Sequence, residues 1–242
     1  MQQDLAACRA LYDICFPDEG AFADALFLTY APDCLRTIEI DGAVAAMLFS
    51  IPYPIVLENG TQSARYLYAV ATHPDHRGKG LASRLLREEA ARGPVFLRPM
   101  SPELFDFYKK VGFAPFSPLE TLRGQASGQA LPHLRALTAA EYASERARFA
   151  PRPTCAPDVD FLTLATKFGG AVAFGNTALA LYETVGETVR FKEWWGTADL
   201  APRVAGALGA TAFELRRVSA GGVPFGVGVG VSEDTAFLAA MD

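Results

Sequence analysis

The segment YLYAVATHPDHRGKGLASRLL, Tyr66 to Leu86, constrains this chain more than any other. Arg65 to Thr72 is rich in aromatic and apolar residues and reads as a strand. A turn containing Pro74, Gly78 and Gly80 follows, and then a helix from about Gly80 to Arg92, closed by Gly93-Pro94. Backbone N–H groups at such a turn, and in the first helical turn, have no internal partners and point outward as a nest for an anion. The positive end of the helix dipole adds to it. Glycine at 78 and 80 lets the backbone approach closely, with no Cβ in the way. Arg77 and Lys79 supply charge, so the arrangement suits a pyrophosphate. The commoner phosphate loops, G-x-x-x-x-G-K-[ST] and G-x-G-x-x-G, are absent.

The flanking pattern is α/β. Leu5 to Phe16 repeats apolar residues at helical spacing until Pro17, and Phe22 to Tyr30 is a second helix, ended before Pro32. Cys34 to Ile40 and Ala43 to Pro52 read as strands joined at Asp41-Gly42, a hairpin dipeptide. Val95 to Arg98 is a short buried strand. Ser101 to Val111 is a helix with Ser101 as N-cap and Pro102 at its first position, and Phe113 to Phe116 begins another strand.

Within these elements Arg77, Gly80 and Ala82 form R-x-x-G-x-A between a strand and a helix. This resembles the acetyl-CoA loop of the GCN5-related N-acetyltransferase (GNAT) family, Q/R-x-x-G-x-G/A, and the preceding V-A-T-H-P is similar to that family too. About twenty residues on stands LFDFYKKVGF, Leu104 to Phe113, which resembles the helix bearing F-Y-x-K-x-G-F that closes the coenzyme cleft. The resemblance covers roughly residues 4 to 116. It implies an acetyl-CoA-dependent N-acetyltransferase, with acetyl-CoA as co-substrate and a small-molecule or peptide primary amine attacking directly. Backbone N–H groups near Val70, Ala71 and Thr72 would polarise the acetyl carbonyl. The pyrophosphate would lie on Gly78, Lys79, Gly80, Leu81, Ala82 and Ser83, beside Arg77. Tyr108 would protonate the departing thiolate, a task that suits a phenol. The alternative reading is a non-catalytic module that binds or senses acetyl-CoA. For the general base the residues offer Glu39, Asp18 and Glu19 without ranking them.

Arg123 to His133, RGQASGQALPH, reads as a linker or long loop, and after it the order of hairpin, strand, helix and strand returns. Ala171 to Phe174 and Ala178 to Thr184 pair around Gly175-Asn176. Thr188 to Trp194 and Ala212 to Val218 are strands about a helix from Asp199 to Leu208. The expected fold is therefore a mixed, mostly antiparallel twisted sheet of the acetyltransferase type in two tandem units. Residues 1–122 would be the acetyl-CoA-binding domain and residues 134–242 a degenerate copy, since no R-x-x-G-x-A follows Trp195. In this the chain resembles the tandem type similar to the mycobacterial survival acetyltransferases. Trp194 and Trp195 alternate on a strand, so one should be core and the other exposed or in an interface. Phe225 to Val231 should be a strand closely approached by another backbone at its glycines.

Composition narrows the classes further. A net charge of -5 argues against coating nucleic acid, and it favours cationic acceptors. No apolar run is long enough for a membrane span, and the N-terminus lacks the features of a signal peptide. Cys8, Cys15, Cys34 and Cys155 form no C-x-x-C pair and have no histidine at ligand spacing, so they read as reduced core thiols and no metal is expected. His73, His76 and His133 are scattered and read as structural or solvated. A cytoplasmic enzyme without nucleic-acid or membrane partners is expected, with homo-oligomer formation left open.

Overall fold

Apolar residues recurring at helical spacing and alternating strand residues build the anticipated elements, with further ones at 55–57, 60–62, 134–136, 154–155 and 159–167 that the sequence reading did not expect. The computed structural model describes residues 4–17, 19–128, 131, 133–238 and 241. Along the chain run α1 (Leu5–Cys15), α2 (Gly20–Cys34), β1 (Leu35–Ile40), β2 (Ala43–Pro52), β3 (Ile55–Leu57), β4 (Gly60–Gln62) and β5 (Arg65–Thr72). Next come α3 (Leu81–Ala90), β6 (Val95–Leu97), α4 (Glu103–Lys110), β7 (Ala114–Gln125) and β8 (Leu134–Ala136). The remainder is α5 (Ala139–Phe149), β9 (Thr154–Cys155), α6 (Val159–Lys167), β10 (Gly170–Phe174), β11 (Ala178–Val185), β12 (Thr188–Gly196), α7 (Ala201–Ala207), β13 (Ala212–Val218) and β14 (Val223–Val229). No helix among the described residues is long and apolar enough to cross a membrane.

The chain divides into two compact units, and their membership is interleaved. The first holds residues 1–54, 62–115 and 226–232, and the second holds 55–61, 116–225 and 233–242. In the first unit the strand order is β1-β2-β5-β6-β14. β1, β2 and β5 form an antiparallel meander, and β5 then runs parallel to β6. The last strand arrives from the far end of the sequence: Val227, Gly228 and Val229 face Leu97, Phe96 and Val95. A Cβ on Gly228 would lie 3.0 Å from the Val95 carbonyl oxygen, so the close backbone approach expected at these glycines is present. Tyr53, Tyr66 and Phe96 fill the meander's start, with ring centroids 5.4–5.8 Å apart.

The second unit repeats this order of elements. Its sheet runs β7-β13-β12-β11-β10-β8, with β10, β11 and β12 antiparallel and β12 parallel to β13. A small sheet, β4-β3-β9, completes it. Both units thus place two helices before a three-stranded meander and one helix before a parallel strand.

Four expectations need correction. α2 continues through Pro32 and stops at Cys34; proline is tolerated there because its missing N–H costs one bond only two residues from the helix end. Arg123 to Gln125 are strand rather than linker, held by pairs from Leu119–Val218 to Gln125–Ala212. α4 begins at Glu103, with Pro102 as its cap instead of Ser101. Trp194 and Trp195 are both buried, at 4% and 7% exposure. They do alternate, but each face of β12 is covered: Trp194 joins the α7 residues Val204 and Ala205, and Trp195 lies under the Arg146 guanidinium of α5, 5.3 Å away.

One buried carboxylate ties α3 to the first sheet. Glu89 is 2% exposed, accepts from Ser50 Oγ of β2 at 2.5 Å and meets Arg92 at 2.8 Å, Arg65 at 3.3 Å and Arg36 at 3.4 Å. Burial pushes its pKa up, but the Ser50 hydroxyl, Arg92 and Arg36 outweigh burial and hold it below the ordinary carboxylate value. Its stabilisation is therefore present above the unfolded-state pKa and is lost as pH falls through the lowered folded one. Glu89→Gln should cost about 3 kcal/mol, the lower end for a broken buried pair because the arginines keep access to water. It should also flatten the acid side of the stability curve. Denaturant titrations at neutral and acidic pH check both, and an equal loss at every pH would contradict the assignment.

Candidate active site

The turn after β5 is built around backbone rather than side chains. Pro74–His76 make one 3-10 turn, capped by the His73 ring, whose Nδ1 accepts from the Asp75 N–H at 3.3 Å. Gly78 (φ +75) and Gly80 (φ +77) then take left-handed conformations that L side chains rarely adopt. A Cβ built on either meets nothing within 4 Å, so the space over this turn is open. Gly80 caps α3 with no side-chain bond, and the first intrahelical bond is Arg84 N–H to the Gly80 carbonyl at 3.0 Å. The N–H groups of Leu81, Ala82 and Ser83 have no hydrogen-bond partner among the described residues. Three donors and a helix dipole thus face an open surface. Arg77 is held by its Nε bond to the Thr72 carbonyl at 3.3 Å, and Lys79 Nζ stands 3.2 Å from His76 Nδ1.

β5 itself carries an irregularity that side-chain patterning does not reveal. Met47 faces Ala71 and Phe49 faces Tyr68, so Leu48 stands opposite both Ala69 and Val70. This is a β-bulge, which takes a residue out of the ladder and re-aims its N–H. Ala69 adopts φ +51 to make it, a conformation that costs a residue with a Cβ about 1 kcal/mol. On the other side, β5 pairs with β6 only at Arg65–Val95 and Tyr66–Phe96. The six residues from 67 to 72 continue beyond that pairing, and β6 ends at Leu97.

α4 brings in the phenol. Tyr108 is 6% exposed and shares an apolar cluster with Leu67, Leu85 and Phe113, against which Val70 and Leu81 pack. The fold therefore gathers the strand, the α3 N-terminus and Tyr108 around one place. The Tyr108 hydroxyl has no hydrogen-bond partner among the described residues. Burial pushes its pKa up to about 12, so it keeps its proton across the neutral range.

The proposed bases separate. Glu39 is exposed on the edge strand β1, and Asp18 lies outside the described residues. Glu19 sits at the cap of α2 without capping it, and its carboxylate instead accepts the Tyr12 hydroxyl of α1. Sequence reading offered Glu19 as a carboxylate but gave no sign of that partner.

In the second unit the corresponding ground is occupied differently. Gly196 leads through Thr197 and a 3-10 turn, Ala198–Leu200, into the seven-residue α7, with Asp199 where the first unit has cations. Below it, Arg146 and Glu193 form a fully buried ion pair at 2.7 Å, and the Tyr142 hydroxyl donates to Glu193 at 2.7 Å. Burial first, and then the Glu193 charge, raise Tyr142 far above its ordinary pKa.

Comparison with known proteins bears on the fold that carries this site. A family model described as an acetyltransferase (GNAT) domain matches residues 2–116. Among solved structures, a GCN5-related N-acetyltransferase from Kribbella flavida superposes with a TM-score of 0.67 at 13% identity, over 93% of this chain and 68% of that one. A GCN5-related N-acetyltransferase from Anabaena variabilis gives 0.66 at 12%, over 94% and 70%. Eis1 from Mycobacterium abscessus gives 0.61 at 14%, over 93% and 65%. At such identity these likenesses speak for the fold, and they extend well past the residues that the family model matches. Residues 2–116, just under half of the chain, carry an acetyltransferase (GNAT) domain.

Proposed function

We propose that the first unit transfers the acetyl group of acetyl-CoA to a primary amine by direct attack. The observation that carries this reading is the uncapped, glycine-led N-terminus of α3 beside a bulged strand and a buried tyrosine whose hydroxyl has no hydrogen-bond partner among the described residues. Gly78 to Ser83 offer their N–H groups to the pyrophosphate, and Arg77 and Lys79 add positive charge. The stretch of β5 beyond its β6 pairing is open to the amides of the pantetheine arm. Around the bulge, N–H groups of Val70, Ala71 and Thr72 polarise the acetyl carbonyl. The amine nitrogen bonds to the carbonyl carbon, the carbon–sulfur bond breaks, and Tyr108 gives its proton to the sulfur. The same burial that raises Tyr108 raises the basicity of a thiolate leaving beside it, so the two stay matched.

Residues 1–122 act as the acetyl-CoA-binding domain in this reading, and 134–242 as a degenerate acetyltransferase-like domain. Support for the degeneracy is the turn after β12, which has an aspartate and no left-handed glycine pair, over a buried Arg146–Glu193 ion pair. The acceptor is a small-molecule or peptide amine, and the acidic balance of the chain favours a cationic one. Thiol release from acetyl-CoA across a panel of primary amines, with mass detection of the N-acetyl product, tests the proposal. A module that only senses acetyl-CoA would bind the coenzyme and release no thiol above background.

A further inference from the structure

The helical face of β5 opposite α3 holds a polar chain in otherwise apolar surroundings. Tyr12 of α1 is 0% exposed, enclosed by the rings of Phe16 and Phe27 with centroids 4.8 and 5.7 Å away. Its hydroxyl donates to the Glu19 carboxylate. On its other side stands the hydroxyl of Tyr68, 3.5 Å away. A hydroxyl has one hydrogen, and that of Tyr12 is committed to Glu19. At the Tyr12–Tyr68 contact, therefore, Tyr68 is the donor. The sense of the chain is fixed: Tyr68 O–H toward Tyr12, Tyr12 O–H toward Glu19. The 3.5 Å span is the outer limit of a hydrogen bond, and such bonds tighten when substrate docks.

Its position matters as much as its order. Tyr68 immediately precedes the bulge at Ala69 and Val70. The end of α1 stays beside the same strand, with Cys15 Sγ 3.8 Å from the Thr72 carbonyl oxygen. Glu19 forgoes capping α2 to reach Tyr12, an arrangement that helix stability alone does not call for.

We propose that Tyr68, Tyr12 and Glu19 form a proton relay that takes the proton of the attacking amine and delivers it to the Glu19 carboxylate. This rests on the acetyl-transfer reading and adds to it the missing base. Before it attacks, the docked ammonium gives one proton to the Tyr68 oxygen. The Tyr68 proton passes to Tyr12 and the Tyr12 proton to Glu19, which becomes a neutral acid. The neutral nitrogen then bonds to the acetyl carbon and the carbon–sulfur bond breaks, as Tyr108 gives its proton to the sulfur and takes the second nitrogen proton in its place. After product leaves, Glu19 returns its proton to water. The charged groups facing the relay come from the helices: Arg9 of α1, which pairs with Asp13 at 3.0 Å and with Asp24 of α2. β2 brings no charged side chain, and β5 has only Arg65 at its far end, tied to Glu89. The Cys8 thiol nearby is pushed up to about 11, chiefly by burial, and stays neutral. Burial, and then the bond to Glu19, also raise Tyr12, so it passes a proton on without resting as a phenolate.

Two amines of one shape but different basicity separate this role from a structural one. The full chain and its Glu19→Gln and Tyr12→Phe variants are assayed at pH 7 with the best alkylamine of the panel and with its fluorinated, weakly basic analogue. With the alkylamine, which arrives protonated, both variants should lose about 10²-fold in kcat/KM. With the analogue, which arrives neutral, they should stay within about threefold of wild type. The alkylamine deficit should shrink as pH rises toward the amine's own pKa. Glu19→Gln keeps an acceptor for the Tyr12 hydroxyl, so its fold is the less disturbed, and its melting curve checks that. Equal losses with both amines would make the cluster structural and overturn the relay, as would unchanged rates with both. A wild type that releases no thiol with any amine would overturn the acetyl-transfer reading and the relay with it.

Discussion

Gly80→Asp is expected to weaken coenzyme A binding by at least about a hundredfold, which is about 2.7 kcal/mol. The cause is local. Gly80 holds φ +77 at the head of α3, with open space where its Cβ would stand. A carboxylate there points into the nest that the pyrophosphate would occupy and sets like charge against it. Aspartate tolerates the left-handed region better than most residues, so α3 should keep its start. Gly80→Asn separates charge from bulk, because it brings the same shape without the charge and should lose far less affinity. Calorimetric titration of the two folded variants checks this. Equal losses, or none in Gly80→Asp, would move the phosphate site elsewhere.

Tyr108→Phe is expected to lower kcat by about 10²- to 10⁴-fold with little change in acetyl-CoA affinity. The ring stays in its cluster with Leu67, Leu85 and Phe113, and only a hydroxyl with no described protein partner disappears. The raised pKa sets a second expectation. A phenol titrating at about 12 remains protonated through neutral and moderately basic solution, so it contributes no falling limb to the kcat profile below about pH 11. Steady-state rates of both proteins across pH check the two together. A kcat within about threefold of wild type, with chemistry rate-limiting, would reject Tyr108 as the acid.

The parts of this site that were readable in the sequence are those with a local signature. Glycines at 78 and 80 announce left-handed backbone, and the apolar period of residues 81 to 86 announces the helix that follows. Tyr108 stands on an amphipathic helix with its own spacing. The bulge has no such signature, since Ala69 at positive φ is an ordinary alanine in the sequence and its conformation is imposed by the neighbouring strand. The Tyr12–Glu19 bond escaped for a similar reason: it is a contact across a helix junction, and no residue pattern encodes it. Long-range pairing was the other blind spot. Residues 226–232 belong to the first unit because Val227 to Val229 pair with β6, more than a hundred residues upstream. Residues 123–125 look like a loop by composition, yet pairing with β13 holds them as strand. Trp195 is buried because a helix supplies Arg146 above it, which alternation along β12 alone does not predict.

The most direct test of acetyl transfer by the first unit follows the acetyl group itself. Acetyl-CoA labelled in its acetyl carbons is incubated with the full chain and the panel amines, and the label is traced by mass spectrometry. The account predicts label on the amine nitrogen in step with thiol release, at a rate that falls with Tyr108→Phe and, at acetyl-CoA well below saturation, falls about a hundredfold with Gly80→Asp. Label that stays on coenzyme A, or that leaves only as free acetate while every amine remains unmodified, would contradict it.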